Sequence, residues 1–244
     1  MLLFKLLVLA HLVADFPLQS ARVYRMKLTR LAGQLPHAGI ALATTVCVCY
    51  PLAGDWSFWA FAAAVASLHL LIDALKVDLS ARGVLGGGLW AFCADQALHL
   101  ATLATVFLTP LPDSPALRGT LPARLDEAGI LTPAILFVAA TFGGVYLLSA
   151  ARRTLFETCA ETPPPGGAEK YYGAAERGAL FLAMAAGGWW LVLVPLVLLL
   201  RIPAANRAAK RFRPEPFLTS SRNAAGNLLL AAACAAAAVL ASRA

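Results

Sequence analysis

Apolar residues run along this chain in unbroken stretches, and the polar residues between them come in short clusters. A helix that crosses a hydrocarbon core about 30 Å thick needs roughly 20 mainly apolar residues. Seven stretches reach or approach that length, over 2–19, 36–53, 56–78, 87–108, 130–150, 178–200 and 223–241. None alternates with period two, so the pattern predicts helices and not a barrel. The expected fold is all-α, a polytopic transmembrane bundle of about seven helices forming one membrane domain over 1–244. A four-helix part covers 1–108 and about three further helices cover 130–241.

The connections follow from the same pattern. Residues 109–129 are Pro-rich and polar, and read as a long loop between the two parts. Residues 151–177 carry Arg152 and Arg153 and then Pro163, Pro164, Pro165, Gly166 and Gly167, which read as a flexible loop. Residues 201–222 hold Arg201, Arg207, Lys210, Arg211, Arg213 and Arg222, a basic segment suited to anionic headgroups. The first stretch is not expected to be a cleaved signal, because His11 and Asp15 interrupt it and no small-residue cleavage site follows. Orientation is nearly balanced. Placing the loop with Arg22, Arg25, Lys27 and Arg30 in the cytoplasm leaves 201–222 outside, against the positive-inside tendency; the first loop is nonetheless the expected cytoplasmic one.

Composition agrees with the pattern. The 244 residues are 60% hydrophobic and 14% charged, where a soluble domain averages about 25% charged. Mean hydropathy is +0.72. This excludes a disordered chain, a coiled coil, a disulfide scaffold and an ordinary soluble enzyme. Twenty basic residues against 13 acidic give +7, which membrane edges explain better than nucleic acid does.

The exceptions inside the apolar stretches carry the chemistry. Ionisable residues there cost roughly 2.5–3.5 kcal/mol each on insertion scales and mark function by default. The chain has four histidines, and all of them fall within the first 99 residues. His11 and Asp15 lie in the first stretch, His69 and Asp73 in the third, Asp95 and His99 in the fourth, and His37 opens the second. Each His–Asp pair is spaced i, i+4, which stacks the two side chains on one helix face. Because successive spans run in opposite directions, all seven residues are expected at one depth, toward one side of the membrane. HLVAD and HLLID, 58 residues apart, also suggest a weak hairpin repeat.

Nitrogen and oxygen donors suit Zn or ions of the Mn/Fe type, one or two per site. The expected metal ligands are His11, Asp15, His69, Asp73, Asp95 and His99, with His37 as a ligand or general base and Lys76 as a catalytic cation. Gln96 is expected as an interhelical hydrogen-bond partner and Asp78 as the end of its helix. The five cysteines imply neither disulfides nor a thiolate site, since Cys47 and Cys49 point apart on their helix and Cys93, Cys159 and Cys234 are scattered. Gly86, Gly87 and Gly88 read as a turn, and Trp56, Trp59, Trp189 and Trp190 as interface or packing residues. In the second half, charges are expected only at edges, in loops and at helix ends.

With His11-Leu-Val-Ala-Asp15-Phe-Pro-Leu-Gln19, His37, His69-Leu-Leu-Ile-Asp73-Ala-Leu-Lys76 and Asp95-Gln96-Ala-Leu-His99, the chain resembles the bacterial domain-of-unknown-function 3307 family. The resemblance covers residues 1–108. The second half is similar in pattern, with Gly173 and Glu176-Arg177 before a helix and a basic stretch after it. It implies a multi-pass protein of the bacterial inner membrane and carries no settled activity. The His/Asp arrangement also looks like that of membrane-bound metal-dependent hydrolases.

The leading expectation is a metal-dependent membrane hydrolase acting on a lipid-linked substrate or phosphoester. Lys76, Arg22, Arg25, Lys27, Arg30 and Arg82 would attract an anionic lipid or headgroup. The alternatives are a proton- or metal-ion-coupled transporter and a non-enzymatic membrane partner or regulator.

Overall fold

The computed structural model describes residues 1–29, 31–86, 88–156, 167–204 and 221–242, and among these residues every regular element is helical. Eleven α-helices follow in order: α1 Leu2–Asp15, α2 Ala21–Thr29, α3 Leu31–Val48, α4 Trp56–Ala81, α5 Leu89–Ala104, α6 Leu121–Glu127, α7 Leu131–Val138, α8 Gly144–Phe156, α9 Gly167–Ala186, α10 Leu193–Leu199 and α11 Ser221–Ala241. Short 3-10 turns extend several of them. Four helical stretches are long and apolar enough to cross a membrane: Trp56–Ala81, Leu89–Leu108, Leu131–Leu155 and Ser221–Ala241.

The first and sixth expected spans are cut short for local reasons, and the second keeps 18 residues but is shifted to Leu31–Val48. The first ends at Asp15, and Pro17, two residues on, has no N–H to carry the helical ladder further. Its 14 residues reach about 21 Å, less than a hydrocarbon core. The second begins at Leu31 and carries Pro36 in its interior. Pro36 lacks the N–H that the helical ladder needs, one residue before His37. The sixth breaks after α9 at Gly187 and Gly188, whose φ angles of 65° and 55° only glycine adopts without strain, and a shorter apolar helical stretch, Gly188–Ala204, follows.

The expected loops are also more ordered than their composition implies. Residues 109–129 fold into two 3-10 turns and α6, with Leu111, Leu117 and Ala123 buried. Helix α8 runs to Phe156 and α9 starts at Gly167, so helix takes up both ends of 151–177; the proline run lies outside the described residues. Asp78 does not end α4, which continues to Ala81, and its carboxylate pairs with Arg82 at 2.9 Å.

The chain forms two compact units. One comprises Met1–Ile135 with the segment beginning at Arg153; the other comprises Leu136–Arg152 and the later helices. In the first unit, α1 packs against α3, α5 and α6, and α4 against α3 and α5. Its apolar core holds Leu3, Leu6, Leu7, Phe58, Ala62, Val65, Leu103 and Val106. In the second unit α9 lies along α11, over a core of Ala140, Phe181, Ala235 and Ala238. Small residues let such helices approach closely.

Candidate metal centre

The inward face of each core helix changes character along its length. On α1 the buried stripe runs Leu3, Leu7, His11, Asp15, and on α4 it runs Phe58, Ala62, Val65, His69, Asp73. On α5, running the other way, it is Asp95, His99, Leu103. Spacings of three and four residues keep each stripe on one side of its helix. The apolar end of every stripe enters the leucine-rich core, and the polar ends meet. With His37 from α3, they form one cluster of four imidazoles and three carboxylates, none more than 6% exposed.

Its distances are those of ligands around a cation. Asp15 Oδ1 is 3.3 Å from His37 Nε2 and 3.4 Å from His69 Nε2, and the two histidine nitrogens are 3.1 Å apart. Ligands about 2.1 Å from an ion at tetrahedral corners lie about 3.4 Å from each other. Asp73 Oδ2 faces the same two nitrogens at 3.5 and 3.4 Å. On the other side, His99 Nε2 is 3.8 Å from Asp73 Oδ1 and 3.6 Å from Asp95 Oδ1. Three groups therefore have ligand atoms within 4.8 Å of one another: Asp15, His37 and His69; Asp73, Asp95 and His99; and His11, His69 and His99.

The polar atoms that meet here are not satisfied by the protein. Asp15 Oδ1, both oxygens of Asp73, Asp95 Oδ1 and His99 Nε2 are buried without a hydrogen bond. An orphaned buried polar group costs about 1–3 kcal/mol, and more if charged. These five atoms, of which Asp73 Oδ2 also meets the Lys27 ammonium, converge at ligand spacing and fit a cation, and the donor set of imidazoles and carboxylates suits a borderline or hard divalent ion.

Two lysines and a glutamine border the cluster. Lys76 Nζ is 2.6 Å from Asp95 Oδ2, so it pairs across helices and not with Asp73 on its own helix. Lys27 Nζ is 2.6 Å from Asp73 Oδ2, an ion pair whose angles make no hydrogen bond. Gln96 joins α1 to α5 as an interhelical partner, with its Oε1 3.3 Å from His11 Nε2, and its amide donates to Asp95.

All eight residues expected at the site lie in this cluster or on its border. Lys27 was legible only as part of a basic loop, because nothing in its spacing shows that α2 folds back over the cluster. That fold rests on Gly33, where a Cβ would collide with the Met26 carbonyl of α2. Gln34 is also buried and donates to the Lys27 carbonyl.

The second unit corrects a further expectation. Glu176 and Arg177 lie in the middle of α9 and not before a helix, and they are 4% and 2% exposed. Arg201 donates to both oxygens of Glu176, through Nε at 2.5 Å and Nη2 at 2.7 Å, and Asn227 Nδ2 also donates to Glu176. Arg177 donates to Asn227 Oδ1 and to the carbonyls of Ala140 and Thr141, in a π-helical turn spanning Ala139–Gly143. Charge in the second half is thus buried as well as peripheral. The sequence signal was Asn227, a polar residue within an Ala-rich run. Arg207, Lys210, Arg211 and Arg213, expected at headgroups, lie outside the described residues, as does Cys159. The remaining cysteines are free, with Cys49 buried and Cys47 exposed.

No curated protein and no solved structure matches the chain. One family model does, over residues 2–123, which take in α1 through the start of α6 and every residue of the cluster. The chain belongs to the family described as Protein of unknown function (DUF3307).

Proposed function

We propose that the cluster is a divalent-metal centre inside a bacterial inner-membrane bundle, and that it hydrolyses a lipid-linked phosphoester. The observation that carries this reading is the convergence of unsatisfied buried ligand atoms at coordination spacing. Asp15, His37, His69, Asp73, Asp95 and His99 would hold the metal. His37 serves as a ligand, since its Nε2 faces Asp15, His69 and Asp73 at 3.1–3.5 Å. His11, held by Gln96, closes the side next to His69 and His99, with ring centroids 5.6 and 5.0 Å away.

A bound divalent ion supplies polarisation of a phosphoryl oxygen and a water acidified toward neutral pH. The protein supplies the rest. Lys76, with 35% of its side chain exposed, lies at the edge of the cluster and can meet an anionic group. Next to it on α4, Leu68, Leu71 and Leu75 are 42%, 62% and 51% exposed, an apolar face suited to an acyl or prenyl chain. An anionic head beside an apolar tail is the chemistry of a lipid-linked phosphoester.

The test is turnover of a long-chain alkyl p-nitrophenyl phosphodiester in mixed micelles by the purified full chain. Chelation should abolish it and Mn²⁺ or Zn²⁺ restore it, with His69→Ala at least 100-fold slower. Lys76→Ala should raise KM more than it lowers kcat. Purified protein that binds no stoichiometric metal would sink the proposal.

A further inference from the structure

We infer that the centre takes two ions and that Asp73 bridges them; this rests on the metal-centre reading. Asp73 is 1% exposed and sits between two of the ligand groups. Its Oδ2 faces His37 Nε2 and His69 Nε2 at 3.5 and 3.4 Å, on the side of Asp15. Its Oδ1 faces His99 Nε2 at 3.8 Å, on the side of Asp95. Neither oxygen makes a hydrogen bond. A carboxylate that turns one oxygen to each of two ligand sets, with only the Lys27 ammonium to be displaced from Oδ2, is placed to bridge ions about 3.5–4 Å apart, the spacing of two-metal hydrolytic sites. One position takes Asp15, His37, His69 and Asp73; the other takes Asp73, Asp95 and His99.

Charge bears on the substrate class that a two-ion centre would take. With the imidazoles deprotonated, as coordination requires, the three carboxylates and the paired Lys27 and Lys76 sum to one net negative charge before any ion is counted. A single divalent ion changes that to one net positive charge, and two ions change it to three. The doubly loaded centre is therefore an anion trap. The anionic oxygens of a phosphoester would offset part of that charge, where a neutral ester offsets none. Without ions, Lys27 holds Asp73 and Lys76 holds Asp95; two-ion loading would free both ammonium groups to face the phosphoryl oxygens.

The experiment is Mn²⁺ titration of the full chain in detergent, read by elemental analysis and by electron paramagnetic resonance. Two equivalents per chain with an exchange-coupled dimanganese spectrum are expected. Asp95→Ala and His37→Ala, one from each position, should each keep one equivalent and show the six-line spectrum of isolated Mn²⁺. Asp73→Asn should lose the coupled spectrum. Saturation of the wild type at one equivalent, or two equivalents without coupling, overturns the bridge and leaves a one-ion centre standing. No binding at all overturns the metal reading itself. Should a variant fail to fold, as judged by gel filtration, the wild-type spectrum alone still decides.

Discussion

Glu176 and Asp73 are both carboxylates buried to a few per cent exposure inside an apolar bundle, and their surroundings differ. Both oxygens of Glu176 accept from Arg201, and Asn227 adds a further donor. Asp73 has Lys27 at one oxygen, no hydrogen bond at either, and a second carboxylate facing the same histidines. Buried charge is tolerated when paired and fully hydrogen-bonded. The Glu176 network meets that condition within the chain, so it acts as a structural clasp. The Asp73 cluster does not, and the proposed metal would complete it. What separates the two regions is satisfaction, not burial.

Removing one partner from each region should break this contrast in opposite ways. Glu176→Ala takes the carboxylate from a buried ion pair with Arg201 and should cost about 3–5 kcal/mol, the usual penalty for removing one member of such a pair. Thermal unfolding in detergent would show it, with bound metal per folded chain unchanged. If Glu176→Ala removed the metal and spared stability, the contrast would be wrong.

Asp15→Asn should change sign with metal. In chelated protein it removes a buried carboxylate that, among the described residues, no lysine or arginine meets within 4 Å, and stability should rise by about 1 kcal/mol. With metal at 100 times its dissociation constant, the wild type gains about 2.7 kcal/mol that the variant lacks. Melting curves with and without chelator should therefore cross in rank order.

Gly33→Ala tests the seat of Lys27. Its methyl group would meet the Met26 carbonyl, so α2 must shift, at about 1–3 kcal/mol. Turnover should fall as it does in Lys27→Ala, while the metal content of folded protein persists. A variant with wild-type turnover would remove α2 from the site.

The smallest effect belongs to Asp55, the N-cap of α4. The Ser57 hydroxyl and amide donate to its carboxylate and hold it below its usual range. A depressed carboxylate contributes stability above its unfolded pKa and loses it as pH falls through the folded value. Asp55→Ala should lower the melting temperature slightly at neutral pH, and the difference should vanish in acid. It should leave metal binding unchanged.

Much of the site was legible because it depends on periodicity. The i, i+4 pairs at His11/Asp15, His69/Asp73 and Asp95/His99 share helix faces by geometry alone, and alternation of direction sets their common depth. Span lengths were less legible. Apolar runs do not show where Pro17 stops α1 or where Gly187 breaks the sixth stretch, because hydropathy averages over local backbone chemistry. Leu111, Leu117 and Ala123 were hidden in a proline-rich segment whose 3-10 turns and α6 bury them.

By itself, the sequence determined that the chain is an all-helical bundle with His and Asp stacked on the inward faces of its first helices. Both facts follow from hydrophobic periodicity, which is local. Only the tertiary structure decided which side chains meet: Asp73 between two ligand sets, Lys76 on Asp95, Lys27 returned by α2, and Glu176 locked by Arg201. Those pairings depend on how helices rotate and cross, which packing over the whole core fixes and no local spacing encodes.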